Sequence, residues 1–136
     1  MMIRKFNESD AQMVSDLIIR TLRTSNIKDY SVEILDEVAA RMMPEDILTQ
    51  ANERHMYVAE EEGKIVGCGA IGSYLEKVDE SCLFTIYVLP EYQGKGIGRR
   101  IVETLEMDEY ALRAKRIEIH ASITGLPFYS EARVHV

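Results

Sequence analysis

Gln93-Gly94-Lys95-Gly96-Ile97-Gly98 stands between a strand-like run, Leu83 to Val88, and a helix-like run that begins near Ile97. Glycine at alternate positions lets a backbone come close to a ligand. A turn that opens a helix presents amide N–H groups without intrahelical acceptors, at the positive end of the helix dipole, and so suits a phosphate. Lys95, Arg99 and Arg100 point the same way. Cations in a first helical turn oppose the dipole unless an anion offsets them.

Spacing removes two familiar phosphate sites. A dinucleotide fingerprint, G-x-G-x-x-G, counted from Gly94 or Gly96 meets Arg99 or Ile101 where its third glycine belongs. A P-loop needs Gly-Lys-Ser/Thr after a longer glycine interval, and no such run follows. What remains is Q-x-x-G-x-G, preceded by Tyr87-Val88-Leu89-Pro90-Glu91-Tyr92.

The elements that must position this turn are legible from periodicity. Ile3 to Phe6 reads as a short strand, and Ser9-Asp10-Ala11-Gln12 as a capping box opening a helix with Val14, Leu17, Ile18 and Leu22 on one face. Ser31 to Met42 repeats the helical period, Pro44 interrupts it, and Glu45 to Ala51 gives a further helical stretch. Strands follow at Met56 to Glu60, Lys64 to Tyr74 and Leu83 to Leu89, with Gly67, Gly69 and Gly72 marking bulges or packing limits. The glycine turn then launches a helix with Ile97, Ile101, Leu105 and Leu112 inward. Lys115 to Ala121 alternates as a half-buried strand, and Thr124 to Ala132 forms a short helix. The expected order, β-α-α-β-β-β-α-β and a final helix, describes one α+β domain over residues 1–136, built on a mainly antiparallel sheet.

Composition narrows the partners. Sixteen basic against twenty-three acidic residues give a net charge of −7, which argues against nucleic acid and favours a cationic partner such as an amine. The chain is 46% hydrophobic and 29% charged, ordinary for a soluble globular protein. Cys68 and Cys82 form neither a C-x-x-C pair nor a cluster at metal spacing, so no disulfide framework and no metal are expected. No apolar run approaches the roughly 20 residues that span a bilayer, and no leader-like segment opens the chain. A cytoplasmic protein without membrane contact is the expectation.

The run from Val88 to Gly98 resembles the acetyl-CoA-binding motif of the GNAT (Gcn5-related N-acetyltransferase) superfamily, and Phe128-Tyr129 resembles an aromatic pair at the start of that family's last helix. The resemblance implies a GNAT-like fold, a mixed, mainly antiparallel twisted sheet flanked by helices. It also implies transfer of an acetyl group from acetyl-CoA to a primary amine of a small molecule, peptide or protein, by direct attack in a ternary complex. The alternative is a non-catalytic acyl-CoA-binding or regulatory domain.

Residue by residue, the amides of Gln93, Gly94, Lys95, Gly96, Ile97 and Gly98, with Arg99 beside them, are implied to hold the pyrophosphate. The main chain at Tyr87 and Val88 is implied to pair with pantetheine like an added strand. Ser122 stands where many members have an asparagine on that arm. Tyr129 is implied to protonate the leaving thiolate. For a base, many relatives place a glutamate early on the fourth strand, where this chain has Cys82; Glu80, just before it, acts through water or is a solvated loop carboxylate. Helices one and two, with the loop from Thr24 to Tyr30, are implied to border the acceptor pocket. The family's two further strands after Phe-Tyr are missing here, with Arg133 and Val134 in place of its Gly-aromatic pair. The expectation is a truncated sequence or a sheet edge left to a partner chain, as in a homodimer.

Overall fold

In the computed structural model, the structure describes residues 1–25, 31–74 and 77–119. Five strands form one sheet in the order β1-β2-β3-β4-β5: β1 (Met2–Lys5), β2 (His55–Glu61), β3 (Lys64–Tyr74), β4 (Lys77–Val88) and β5 (Arg116–Ile119). The first four pair antiparallel and β5 joins β4 in parallel. Helices α1 (Ala11–Ser25), α2 (Val32–Ala40) and α3 (Pro44–Glu53) follow β1, and α4 (Ile97–Glu106) and α5 (Glu109–Arg113) link β4 to β5. The mainly antiparallel α+β architecture expected from the sequence is the one observed.

Helix α1 buries Val14, Leu17, Ile18 and Leu22 at helical spacing. Its opening differs from the Ser9 box. A single 3-10 turn, Glu8–Asp10, precedes the helix, and the Asp10 carboxylate accepts from the Asn7 amide at 2.8 Å while Arg4 reaches it at 2.8 Å. Burial opposes ionisation of Asp10, but the bond from Arg4 outweighs it and holds the carboxyl below its ordinary range. Pro44 begins α3 rather than merely ending α2, because proline at the first helical position gives up an amide that has no partner anyway.

Helix α4 buries Ile97, Ile101, Val102 and Leu105. It lies against β3 at two glycines, and the fit is close. A Cβ at Gly69 would stand 2.6 Å from Ile101 Cγ2, and one at Gly67 would stand 2.9 Å from Ile101 Cδ1. These glycines are packing limits, as the sequence suggested. Leu112 departs from expectation, being 68% exposed on the separate helix α5. The chain leaves α4 at Met107 because Asp108 caps α5, accepting the Tyr110 amide at 2.9 Å, and is itself fixed to β2.

Strand β4 begins at Lys77, six residues before the expected Leu83, so Glu80 and Cys82 lie inside the strand. The loop reading of Glu80 is thereby corrected: its register partner is Arg116 on β5, and antiparallel pairing with β3 carries the strand back past it to Lys77.

Candidate functional site

The glycine turn is held at both ends. The Leu89 amide donates to Val66 O at 2.9 Å, fixing the exit of β4 to β3, and Ile97 sits in the core under the first turn of α4. Between these anchors the stretch Gln93–Gly96 is exposed. Gly94 has φ 79° and Gly96 has φ 82°, a left-handed conformation that glycine adopts without steric cost. Gly96 is the N-cap of α4, and the first helical bond runs from the Arg100 amide to Gly96 O at 3.1 Å. The amides of Ile97 and Gly98 precede that bond and have no intrahelical acceptor.

Charge around the turn is one-sided. The Lys95 ammonium lies 5.4 Å from the centroid of the Tyr92 ring, which Lys64 also approaches at 5.8 Å. Among the described residues neither Lys95 nor Arg100 has a carboxylate partner. Glu91, the acid nearest in sequence, is taken up by Arg20 at 2.7 Å. Its own backbone amide and Arg20 hold its carboxyl below the ordinary range. Open left-handed glycines, helix-start amides and the cations of Lys95 and Arg100, which have no carboxylate partner among the described residues, fit a diphosphate.

Tyr87 and Val88 lead into this turn. Tyr87 is buried opposite Cys68 on β3, and Val88 O accepts the Gln93 side-chain amide at 2.9 Å. The described pairing of β4 with β5 covers Glu80 to Leu83. In between the strand is irregular. Cys68 faces Tyr87 and Ala70 faces Phe84, so Gly69 alone stands opposite Thr85 and Ile86. Thr85 takes φ 55°, a region in which a β-branched residue is strained, and its hydroxyl is fixed to Gln50 Oε1 at 2.9 Å.

The other expected site residues divide. Cys82 is fully buried, as a small core side chain rather than an accessible nucleophile. Burial pushes the Cys68 thiol up to about 12, which makes it inert at neutral pH. Ser122, Tyr129 and the acceptor-side residues 26–30 lie outside the described residues.

Three arrangements escaped the sequence. One is the Thr85 bulge, for which a threonine in a strand gives no local signal. The second is Arg54, whose guanidinium stacks on Phe84 with Cζ 3.7 Å from the ring centroid. The third is a buried carboxylate, Asp108, which accepts from Tyr57 OH at 2.6 Å and pairs with His55 Nδ1 at 2.9 Å. Burial works against the ionised Asp108, but the bonds from Tyr57, the Tyr110 amide and His55 win and hold it below its ordinary range. Tyr57, desolvated and bound to that carboxylate, is pushed up to about 12.

Comparison with known proteins agrees with this geometry. A family profile described as an acetyltransferase (GNAT) domain matches residues 52–132. An uncharacterized N-acetyltransferase of Chlorobaculum tepidum is 42% identical over 53 residues, covering 39% of this chain and 33% of that protein. The L-amino acid N-acyltransferase MnaT of Escherichia coli is 28% identical over 81 residues, covering 58% of this chain and 44% of that protein. The matches thus span a third to less than half of these relatives' length. Among solved structures, the PaiA N-acetyltransferase of Thermoplasma acidophilum, in complex with coenzyme A, superimposes with a TM-score of 0.79 at 17% identity, covering 95% of this chain and 84% of that one. With a profile match over more than half of its length, and a fold shared with such structures, this chain belongs to the acetyltransferase (GNAT) family.

Proposed function

We propose that this chain is an acetyl-CoA-dependent N-acetyltransferase acting on a primary amine, with residues 1–136 as its single domain. The observation that carries the reading is the exposed turn at the start of α4, where Gly94 and Gly96 are left-handed and Lys95 and Arg100 have no acidic partner among the described residues. In this reading the amides from Gln93 to Gly98 hold the pyrophosphate, with Lys95 and Arg99 beside it. The pantetheine arm runs back along β4 from Val88 towards Phe84, and the Ser122 hydroxyl is assigned to it from the family resemblance.

The amine must lose a proton before it attacks, since its ordinary pKa is near 10.4. Glu80 takes that proton through a water molecule. The amine nitrogen then bonds to the thioester carbonyl carbon, the carbon–sulfur bond breaks as Tyr129 gives its proton to the departing thiolate, and the second proton that the nitrogen sheds on becoming an amide returns through water to the Tyr129 oxygen. One observation favours the alternative, an acyl-CoA-binding domain without catalysis: Cys82 is a fully buried thiol at the place where the family resemblance calls for a carboxylate.

Thiol release separates the two readings. Purified protein with acetyl-CoA and a panel of polyamines, aminoglycosides, amino acids and peptide N-termini is expected to liberate CoA thiol in an amine-dependent way. Calorimetric binding of CoA with no thiol release across the panel refutes the transferase reading and leaves the binding one.

A further inference from the structure

Arg54 closes α3, its amide donating to Gln50 O at 3.0 Å, and its side chain turns onto the sheet instead of running out to water. The next residue, His55, pairs with Ile71, which sets Arg54 beside Gly72 on β3. Gly72 has no side chain, and the arginine stem lies over it. A Cβ at Gly72 would meet Arg54 Cγ at 2.8 Å and Arg54 Cβ at 3.4 Å. Gly72 pairs in turn with Cys82 on β4. The stem therefore crosses β3 through a gap made by a missing side chain and delivers the guanidinium to Phe84.

This cation is half-buried, and desolvation lowers its pKa, yet it stays charged at any physiological pH. Among the described residues no carboxylate lies within ion-pair distance of it, and the neighbouring Glu53 charge, acting from further off, offsets only part of the desolvation. Stacking on Phe84 occupies a face of the guanidinium and leaves its in-plane N–H groups to bond elsewhere. A charged group removed from water without a partner is costly. One fixed by a ring and a glycine groove is organised in advance for a planar oxyanion bound by two parallel hydrogen bonds.

The place of the cation gives it a purpose. Phe84 immediately precedes the bulge at Thr85, on the part of β4 towards which the pantetheine arm is proposed to run. We infer that Arg54 binds a carboxylate on the acceptor, so that the amines used are amino acids or other amines carrying a carboxylate close to the nitrogen. The inference rests on the acyl-transfer reading for the placing of the amine beside the thioester. The carboxylate site itself is testable without turnover.

L-amino acids, their amides and the matching aminoalkyl phosphonates are titrated calorimetrically into the CoA-saturated protein. The acids are expected to bind about tenfold or more tightly than the amides, the worth of a charge-assisted bidentate pair. In Arg54→Ala that contrast disappears, while CoA affinity and the circular dichroism spectrum stay as in the parent protein. Gly72→Leu, which keeps the arginine but fills its groove, is expected to lose the same contrast, and guards against a fold defect peculiar to Arg54→Ala. Acids and amides binding alike in the parent protein, or a contrast that survives both substitutions, overturns the assignment. Phosphonates binding more tightly than carboxylates through Arg54 overturn the carboxylate class. A contrast seen without any thiol release from acetyl-CoA sustains the site and refutes only the transferase reading.

Discussion

Two glycines with nearly the same backbone angle, in different surroundings, allow the proposed role of the α4 turn to be separated from its conformation. Gly63, in the hairpin between β2 and β3, has φ 79°, and Gly96 has φ 82°; an added Cβ meets nothing within 4 Å at either position. Replacement by alanine thus introduces left-handed strain and no clash. Strain of about 1–2 kcal/mol is partly offset by about 0.4–1 kcal/mol from a stiffer unfolded chain, leaving a loss of about 1 kcal/mol. For a chain of this length that lowers Tm by about 3–5 °C. Gly63→Ala and Gly96→Ala are expected to fall together within about 0.5 kcal/mol in urea unfolding followed by circular dichroism.

CoA affinity is where they part. The methyl of Gly96→Ala enters open space at the start of α4, where the diphosphate is proposed to bind. Losing one charge-assisted hydrogen bond costs about 1.5–3 kcal/mol, or about ten- to a hundredfold in Kd. Gly63→Ala is expected to keep the parent Kd in calorimetry. Equal CoA affinity in both variants would refute the diphosphate role of the turn. A stability loss several times larger for Gly96→Ala than for Gly63→Ala would refute the strain argument itself.

The depressed pKa values of Asp10 and Asp108 mean that both stabilise the fold above the ordinary carboxylate range near pH 4, and that this contribution is lost as pH falls through their lower native values. Urea midpoints are expected to be level from about pH 6 to 5 and to drop below about pH 4, with a shallower drop in Asp108→Asn. Gly69→Ala drives a methyl to 2.6 Å from Ile101 Cγ2, and a loss of about 1–3 kcal/mol is expected. Combined with Ile101→Ala, the double variant should be more stable than the sum of the single losses, as a double-mutant cycle in urea would show. Tyr129→Phe is expected to lower kcat about a hundredfold at saturating substrate with CoA binding unchanged; parent-like turnover in a thiol assay dismisses the acid role.

Much of this was legible because the signals are local. The glycine turn, the helical stripe of Ile97, Ile101 and Leu105, and the glycines of β3 each announce themselves within a few residues. The misses are non-local or lack a type-specific signal. Leu112 fits the helical period of α4, but Asp108 ends that helix through partners on β2, some fifty residues earlier in the chain. Glu80 looked like a loop carboxylate because the polar stretch around it shows no apolar alternation, yet β3 on one side and the later β5 on the other both pair with that stretch. Arg54 stands in the sequence where a helical stretch gives way to strands, and only the pairing of β2 with β3 shows why a glycine lies beneath its stem.

The doubled position at Thr85 also governs how β4 is to be compared with other strands. An odd insertion reverses the up-and-down parity of every side chain beyond it. Phe84 and Tyr87, three apart in sequence, therefore belong to one surface of the sheet, where an unbroken strand would send them to opposite ones. Deleting Thr85 would straighten the ribbon and leave Ile86 alone opposite Gly69, with Phe84 and Tyr87 still on their shared surface, so the extra residue sets the bend of the strand and not the facing of its neighbours.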